Sequence, residues 1–190
     1  MSIEKMAVFA AAAAALGLPL AEVEKVGIVG VYEAVCHDKD GNELWRDKVY
    51  NLVTTQGKND ILDKYLAGSA YTAALYMGLV SSASFSAYSA ADTAASHAGW
   101  LEAGATNAPT YSGARKTTAW SAASGGAKAL SAGLVFTFTG SGTVKGCFIQ
   151  TASAVDSTTG VLLSAGNFTG GDQPVVSTNT LTVTYTLTLT

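Results

Sequence analysis

The chain has 190 residues, 13% of them charged, with a net charge of −3. That is about half the usual charged share, and the negative balance argues against a dedicated nucleic-acid binder, which needs a basic footprint. The length suits one domain plus a short arm. The charges are uneven: residues 1–66 hold seven Lys/Arg and ten Asp/Glu, whereas residues 67–190 hold four of each. The surface of the last two thirds must therefore be built from Ser, Thr, Asn and Gly. Such a surface repels neighbours weakly and suits close packing in an assembly.

Residues 1–25 read as an N-terminal helical arm ahead of one β-domain at 26–190. Val8, Phe9, six alanines, Leu16 and Leu18 resemble the apolar centre of a signal peptide. The run is shorter than the roughly 18 residues a membrane helix requires, and Glu4 and Lys5 give no net positive lead. An alanine-rich helix over residues 2–16 is expected instead, with Ser2 as N-cap and Gly17 plus Pro19 as its stop. An isolated helix of that length is marginal in water, so it should dock on its own domain or on a neighbour.

Residues 26–37 form an apolar run read as a strand. Asp38-Lys39-Asp40-Gly41-Asn42 follows as a tight turn, in which Asp-Gly is the hairpin signal, and the strand resumes at residues 43–50. A calcium loop is a poor fit, since that motif needs glycine at its sixth position and glutamate at its twelfth, and Gly41 is fourth. The run at 49–55 is extended. Ile61, Leu62, Tyr65 and Leu66 then make one apolar stripe opposite Asp60, Asp63 and Lys64, which predicts a short connector helix over residues 60–67 closed by Gly68. Residues 73–80 return to β character.

Residues 81–91 are weakly patterned. A capped helical turn is expected at Asp92-Thr93-Ala94-Ala95, loops at 104–113 and 122–131, and a short strand at 116–120. Residues 134–139, 143–150, 161–165 and 175–176 read as strands. The end of the chain, residues 181–190, alternates strictly between one apolar and one threonine face. About eight short strands with Gly, Ser and Asn turns predict a mainly β fold: an antiparallel β-sandwich, jelly-roll-like, with the N-terminal alanine-rich helix and the one connector helix.

Catalytic patterns are missing. His37 follows Cys36, so the two point to opposite faces of a strand and cannot share a metal. His97, before Gly99 and Trp100, is read as holding its loop by a hydrogen bond. No nucleophile elbow, phosphate loop or paired metal spacing occurs, and no cofactor is implied. Cys36 and Cys147 are too few for a disulfide framework and lie in apolar β patterns, where free cysteine behaves as a small buried hydrophobe; a bridge between them is the alternative.

Several short motifs carry a resemblance. They are Tyr50-Asn51-Leu52-Val53-Thr54 with Gly57, Asn59, Leu62 and Asp63; Tyr76-Met77-Gly78-Leu79-Val80; Ala95-Ser96-His97-Ala98-Gly99-Trp100; Thr143-Val144-Lys145-Gly146; and Thr180-Leu181-Thr182-Val183-Thr184-Tyr185. In order and spacing they resemble a group of small virion proteins of tailed bacteriophages, described as capsid decoration, head or tail-fibre proteins. The resemblance implies an architectural β-rich subunit without catalytic residues. It would be made in the host cytoplasm, assemble as a homotrimer and sit on the outside of the particle against the major capsid protein. No nucleic acid or membrane is implied as a partner.

The leading expectation is thus a cement protein that binds the outer capsid lattice and stabilises the shell. Partner contact is expected from the arm, through Phe9, Leu16 and Leu18, and from the charged hairpin tip, through Asp38, Lys39, Asp40 and Glu43. The alternative is a tail-fibre or tail-adaptor subunit. A hydrolase pairing His97 with a Ser or Asp is the third class, and the missing motifs count against it.

Overall fold

The computed structural model describes residues 27–66, 68 and 74–190. The expected helix at 2–16, and with it Phe9, Leu16 and Leu18, lies outside the described residues.

The described chain is mainly β, with antiparallel sheets and one helix. The local signals hold where they are strong. β1 (Ile28–His37) and β2 (Glu43–Tyr50) form the expected hairpin, with Gly41 in the left-handed region that the turn requires. β3 (Leu52–Val53) leads into α1 (Thr55–Leu66), which begins five residues before the expected start at residue 60. The early start follows from Thr54, whose hydroxyl accepts the Gly57 amide at 3.0 Å as an N-cap. Gly68 adopts φ +66°, the expected left-handed stop.

The chain continues through β4 (Tyr76–Ser81), β5 (Leu101–Gly104), β6 (Asn107–Thr110), β7 (Lys116–Thr117) and β8 (Ala127–Ala129). It then forms β9 (Leu134–Thr137), β10 (Gly142–Gln150), β11 (Leu162–Asn167), β12 (Gln173–Val175) and β13 (Thr180–Leu189). The thirteen strands exceed the expected eight in part because β6 and β8 fall in stretches read as loops and β5 in one assigned no element. Those stretches are rich in Gly, Ala and Ser, which favour strands weakly; β5 is extended along β4 and β8 along β13, while β6 pairs with the equally short β5.

The first sheet runs β2-β1-β13-β8, with β9 also on β13. Its centre joins the two ends of the described chain: β1 and β13 pair antiparallel from Ile28 opposite Leu189 to His37 opposite Thr180. The second sheet runs β3-β11-β10-β4-β5-β6, with β12 on β10 and β7 on β4. Its one parallel pair is β5 with β6.

One core takes residues from both sheets, among them Tyr32, Cys36, Val183 and Tyr185 from the first and Met77, Leu79, Cys147 and Ile149 from the second. Cys36 and Cys147 are both free and buried. Burial pushes the Cys36 thiol up to about 11 and Cys147 higher still. The opposite face of the second sheet is buried as well. Val80, Phe148, Leu162 and Ala165 pack there under Trp100, Phe85 and Tyr88 from the 82–100 segment.

That segment contains no helix. The turn expected at Asp92–Ala95 is instead a tight loop closed by reciprocal backbone bonds between Thr93 and Ser96. Asp92 caps no helix because its carboxylate is taken: Oδ2 accepts the Trp100 indole N–H at 3.0 Å and the Ser89 amide at 2.9 Å.

Candidate functional site

His97 does hold its loop. Its ring stacks on Trp100 with centroids 3.9 Å apart, and its Nδ1 lies 3.1 Å from the Trp100 carbonyl oxygen. No hydroxyl nucleophile or carboxylate contacts it among the bonds of the described residues. Those residues also contain no cluster of three or more His, Cys, Asp or Glu side chains able to hold a metal ion.

The hairpin tip is exposed and largely self-satisfied. Asp38 Oδ1 accepts the amides of Asp40 and Asn42, each at 2.9 Å, and Oδ2 accepts the Asn42 side-chain amide. The Asn42 bonds hold the Asp38 carboxyl below its ordinary range. Lys39 pairs with Asp40, and Glu43 with Arg46. The four expected contact residues are therefore brought together, each with a local partner already in place. Exposed pairs of this kind contribute little stability.

Two surfaces remain with a shape suited to a partner. The first is the outward face of the first sheet, where cross-strand registry builds straight rows. One row reads Arg46, Val35, Thr182, Val135; the next Lys48, Glu33, Thr184; the next Tyr50, Val31, Thr186, Ala129; and the last Val29, Thr188, Ala127. Strict alternation in β13 places its threonines on this side and Leu181, Val183 and Tyr185 in the core. Val29 and Val135 are exposed at 44% and 49%, and Tyr50 at 64%. The charges are few and partly neutralised by the Lys48–Glu33 pair at 2.7 Å.

The second surface is an apolar groove of about 360 Å³ at one end of the core. Ile61 of α1, Leu75, Trp120, Val161, Leu163 and Leu187 form its walls, and Asp60, Lys64 and Lys128 its rim. The helix is seated there by Gly57, which lies against the backbone of Leu163. This seating splits the expected apolar stripe: Ile61 packs on the core, whereas Leu62, Tyr65 and Leu66 are exposed. Sequence reasoning missed the groove, since its walls come from separated segments. The unmatched stripe residues were the one signal for it.

Compared with family models, with curated proteins and with solved structures, the chain matches none.

Proposed function

We propose that this protein is a structural subunit of a tailed-phage particle, a decoration protein whose bare first-sheet face lies against the outer surface of the major capsid lattice. The observation that carries the reading is an asymmetry between the sheets. The second sheet is covered by the 82–100 segment, while the first presents exposed Val29 and Val135 among threonines and few charges. A broad, β-branched and weakly charged face loses little on desolvation and can pack closely against a second flat surface. Contacts that exist only in the assembled lattice stabilise the assembled state alone. The resemblance of the motifs at residues 49–190 to phage virion proteins supplies the partner. The two sheets about one shared core are read as a β-sandwich of jelly-roll type, and the assembly as a homotrimer.

The test is binding to purified particles. A tagged protein should label the shell evenly, and a Val29→Lys, Val135→Lys variant that keeps its fold should lose most of its occupancy. Label confined to the tail moves the assignment to a tail-fibre or tail-adaptor subunit. Undiminished occupancy of the variant removes the first-sheet face from the account.

A further inference from the structure

The loop from Thr169 to Gln173 is shaped around an anion that the chain itself supplies. We propose that this loop is a carboxylate receptor, filled by Asp47 in the free subunit, and that an aspartate or glutamate of a docked protein takes Asp47's place. The choice of partner rests on the docking reading above, whereas the receptor stands on the geometry of the loop.

Asp47 comes from β2 and its donors from the far end of the chain. Asp47 Oδ1 accepts the Thr169 hydroxyl at 2.7 Å and the amides of Thr169 and Gly170 at 3.1 Å each. The Lys48 amide adds a local bond at 2.7 Å. Oδ2 accepts the Gly170 amide at 2.9 Å and the Gln173 side-chain amide at 2.7 Å. Gly170 is thus shared between the two oxygens, and the successive amides of residues 169 and 170 converge as in a backbone anion nest. Gly171, at φ +96°, supplies the left-handed turn beside them. A Cβ on Gly170 would lie 2.7 Å from Asp47 Oδ2, so a side chain there would intrude on the seat.

Contacts that bypass Asp47 hold the loop in this shape. The Phe168 amide donates to the Lys145 carbonyl at 3.0 Å, and the Phe168 ring meets Trp45 edge-on at 5.5 Å. At the other end, Gln173 and Pro174 pair with Val144 and Thr143 of β10. The Pro174 carbonyl accepts the Trp45 indole N–H at 3.0 Å. Asp172, the one charged residue of the loop, is paired with Lys145. The donors therefore stay converged when the Asp47 carboxylate leaves, which is what a receptor requires.

The donor set also fixes the class of ligand. It consists of neutral N–H and O–H groups, without an ammonium or guanidinium, and so matches one charge spread over two oxygens better than a phosphate dianion. Asp47 and Thr169 line a depression of about 450 Å³ whose walls carry Arg46 and Lys48 of the first-sheet face. Those two exposed cations favour the approach of an acidic side chain. Replacing one carboxylate by another breaks and makes the same bonds, so the exchange is close to neutral and the remaining docking contacts decide it.

The experiment uses formate as the probe. Asp47→Ala in the full chain should melt below the parent, and sodium formate should restore most of that difference. Sodium chloride at equal ionic strength should restore little, and the parent should respond alike to both salts. Asp47→Ala combined with Thr169→Val should lose the formate response. Formate no better than chloride would overturn the proposal, and phosphate as effective as formate would overturn the carboxylate assignment. If Asp47→Ala does not fold, its refolding yield from urea with formate against chloride gives the same reading, equal yields counting against the receptor. On purified particles, Asp47→Ala should reach at least the parent's occupancy, because the internal competitor is gone; occupancy well below the parent's would overturn the exchange. A parent that does not bind particles removes the docking reading and the named partner with it, while the formate response still decides the receptor.

Discussion

Tyr32 on β1 and Ser164 on β11 share a hydrogen bond of 2.9 Å between their hydroxyls, wholly inside the core. It is one direct polar tie between the first and second sheets. Tyr32 also lies against Tyr185 with ring centroids 4.4 Å apart, and burial, the largest influence, drives the Tyr32 hydroxyl well above its ordinary value. Tyr32→Phe leaves the Ser164 hydroxyl buried without this partner and should cost about 1–2 kcal/mol in urea unfolding. Tyr32→Phe combined with Ser164→Ala should recover part of that loss.

Tyr111 reverses the sign. It is 4% exposed, and its hydroxyl has no hydrogen-bond partner among the described residues. Its ring meets Phe136 edge-on at 5.1 Å. Tyr111→Phe keeps that packing and removes an unsatisfied polar atom, so the variant should be as stable as the parent or more so. A loss above about 1 kcal/mol would show that the hydroxyl has a partner.

Arg115 and Glu102 form a two-pronged ion pair at 2.7 and 2.6 Å, with both side chains almost fully buried. Arg115 also donates to the Ala152 carbonyl, and Glu102 accepts the Asp156 amide, so the pair pins the 151–160 loop to β5. Burial is the strongest influence on Glu102 and raises its carboxyl above the ordinary value, against the pull of Arg115. Glu102→Gln strands a buried guanidinium and should cost about 3–5 kcal/mol. Glu102→Leu with Arg115→Met should cost clearly less than the two single changes added together, as measured by a double-mutant cycle in urea.

Asp47 links acid stability to one loop. Its carboxylate accepts the Thr169 hydroxyl at 2.7 Å, the Gln173 amide at 2.7 Å and the backbone amides of Lys48, Thr169 and Gly170. Partial burial is the largest single influence and pushes its carboxyl up, but the hydrogen bonds together outweigh it and hold it below the ordinary value. A depressed folded-state value means that the stabilisation is complete above about pH 3.9, the unfolded value, and is lost as the pH falls through the folded one. Asp47→Asn should therefore narrow the gap in stability between pH 6 and pH 3. A pH profile parallel to the parent's would rule Asp47 out as a contributor.

The parts of this fold that sequence made legible are those fixed by neighbours in the chain. Asp40-Gly41 sets the hairpin, and the Leu-Thr alternation of 181–190 sets which side of β13 meets the core. The threonine side was readable as an outward face, but its continuation across Val29, Val31, Val35 and Val135 depends on registry between distant strands. The short strands β5, β6 and β8 were not readable, because Gly, Ala and Ser have no strong preference for extended structure and their pairing depends on distant partners: β4 for β5, β5 in turn for β6, and β13 for β8. The groove was hidden for the same reason, with Ile61, Trp120 and Leu187 brought together from far apart in the chain.

Helix orientation was misread because one glycine overrides the apolar stripe. A Cβ at Gly57 would sit 2.5 Å from the Leu163 carbonyl oxygen and 2.8 Å from its Cα, and both are backbone atoms with no rotamer to escape by. Gly57→Ala gains up to about 1 kcal/mol of helix propensity. Against this, it must lift α1 off β11, and overpacking of this kind costs typically 1–3 kcal/mol. The clash should dominate, giving a net loss on thermal unfolding. Because Ile61 and Tyr65 move with the helix, the same substitution should widen the groove and change Trp120 emission, whereas Lys58→Ala on an exposed side of α1 should leave that emission unaltered. A Gly57→Ala protein with parental stability and parental emission would show that helix and sheet do not touch there.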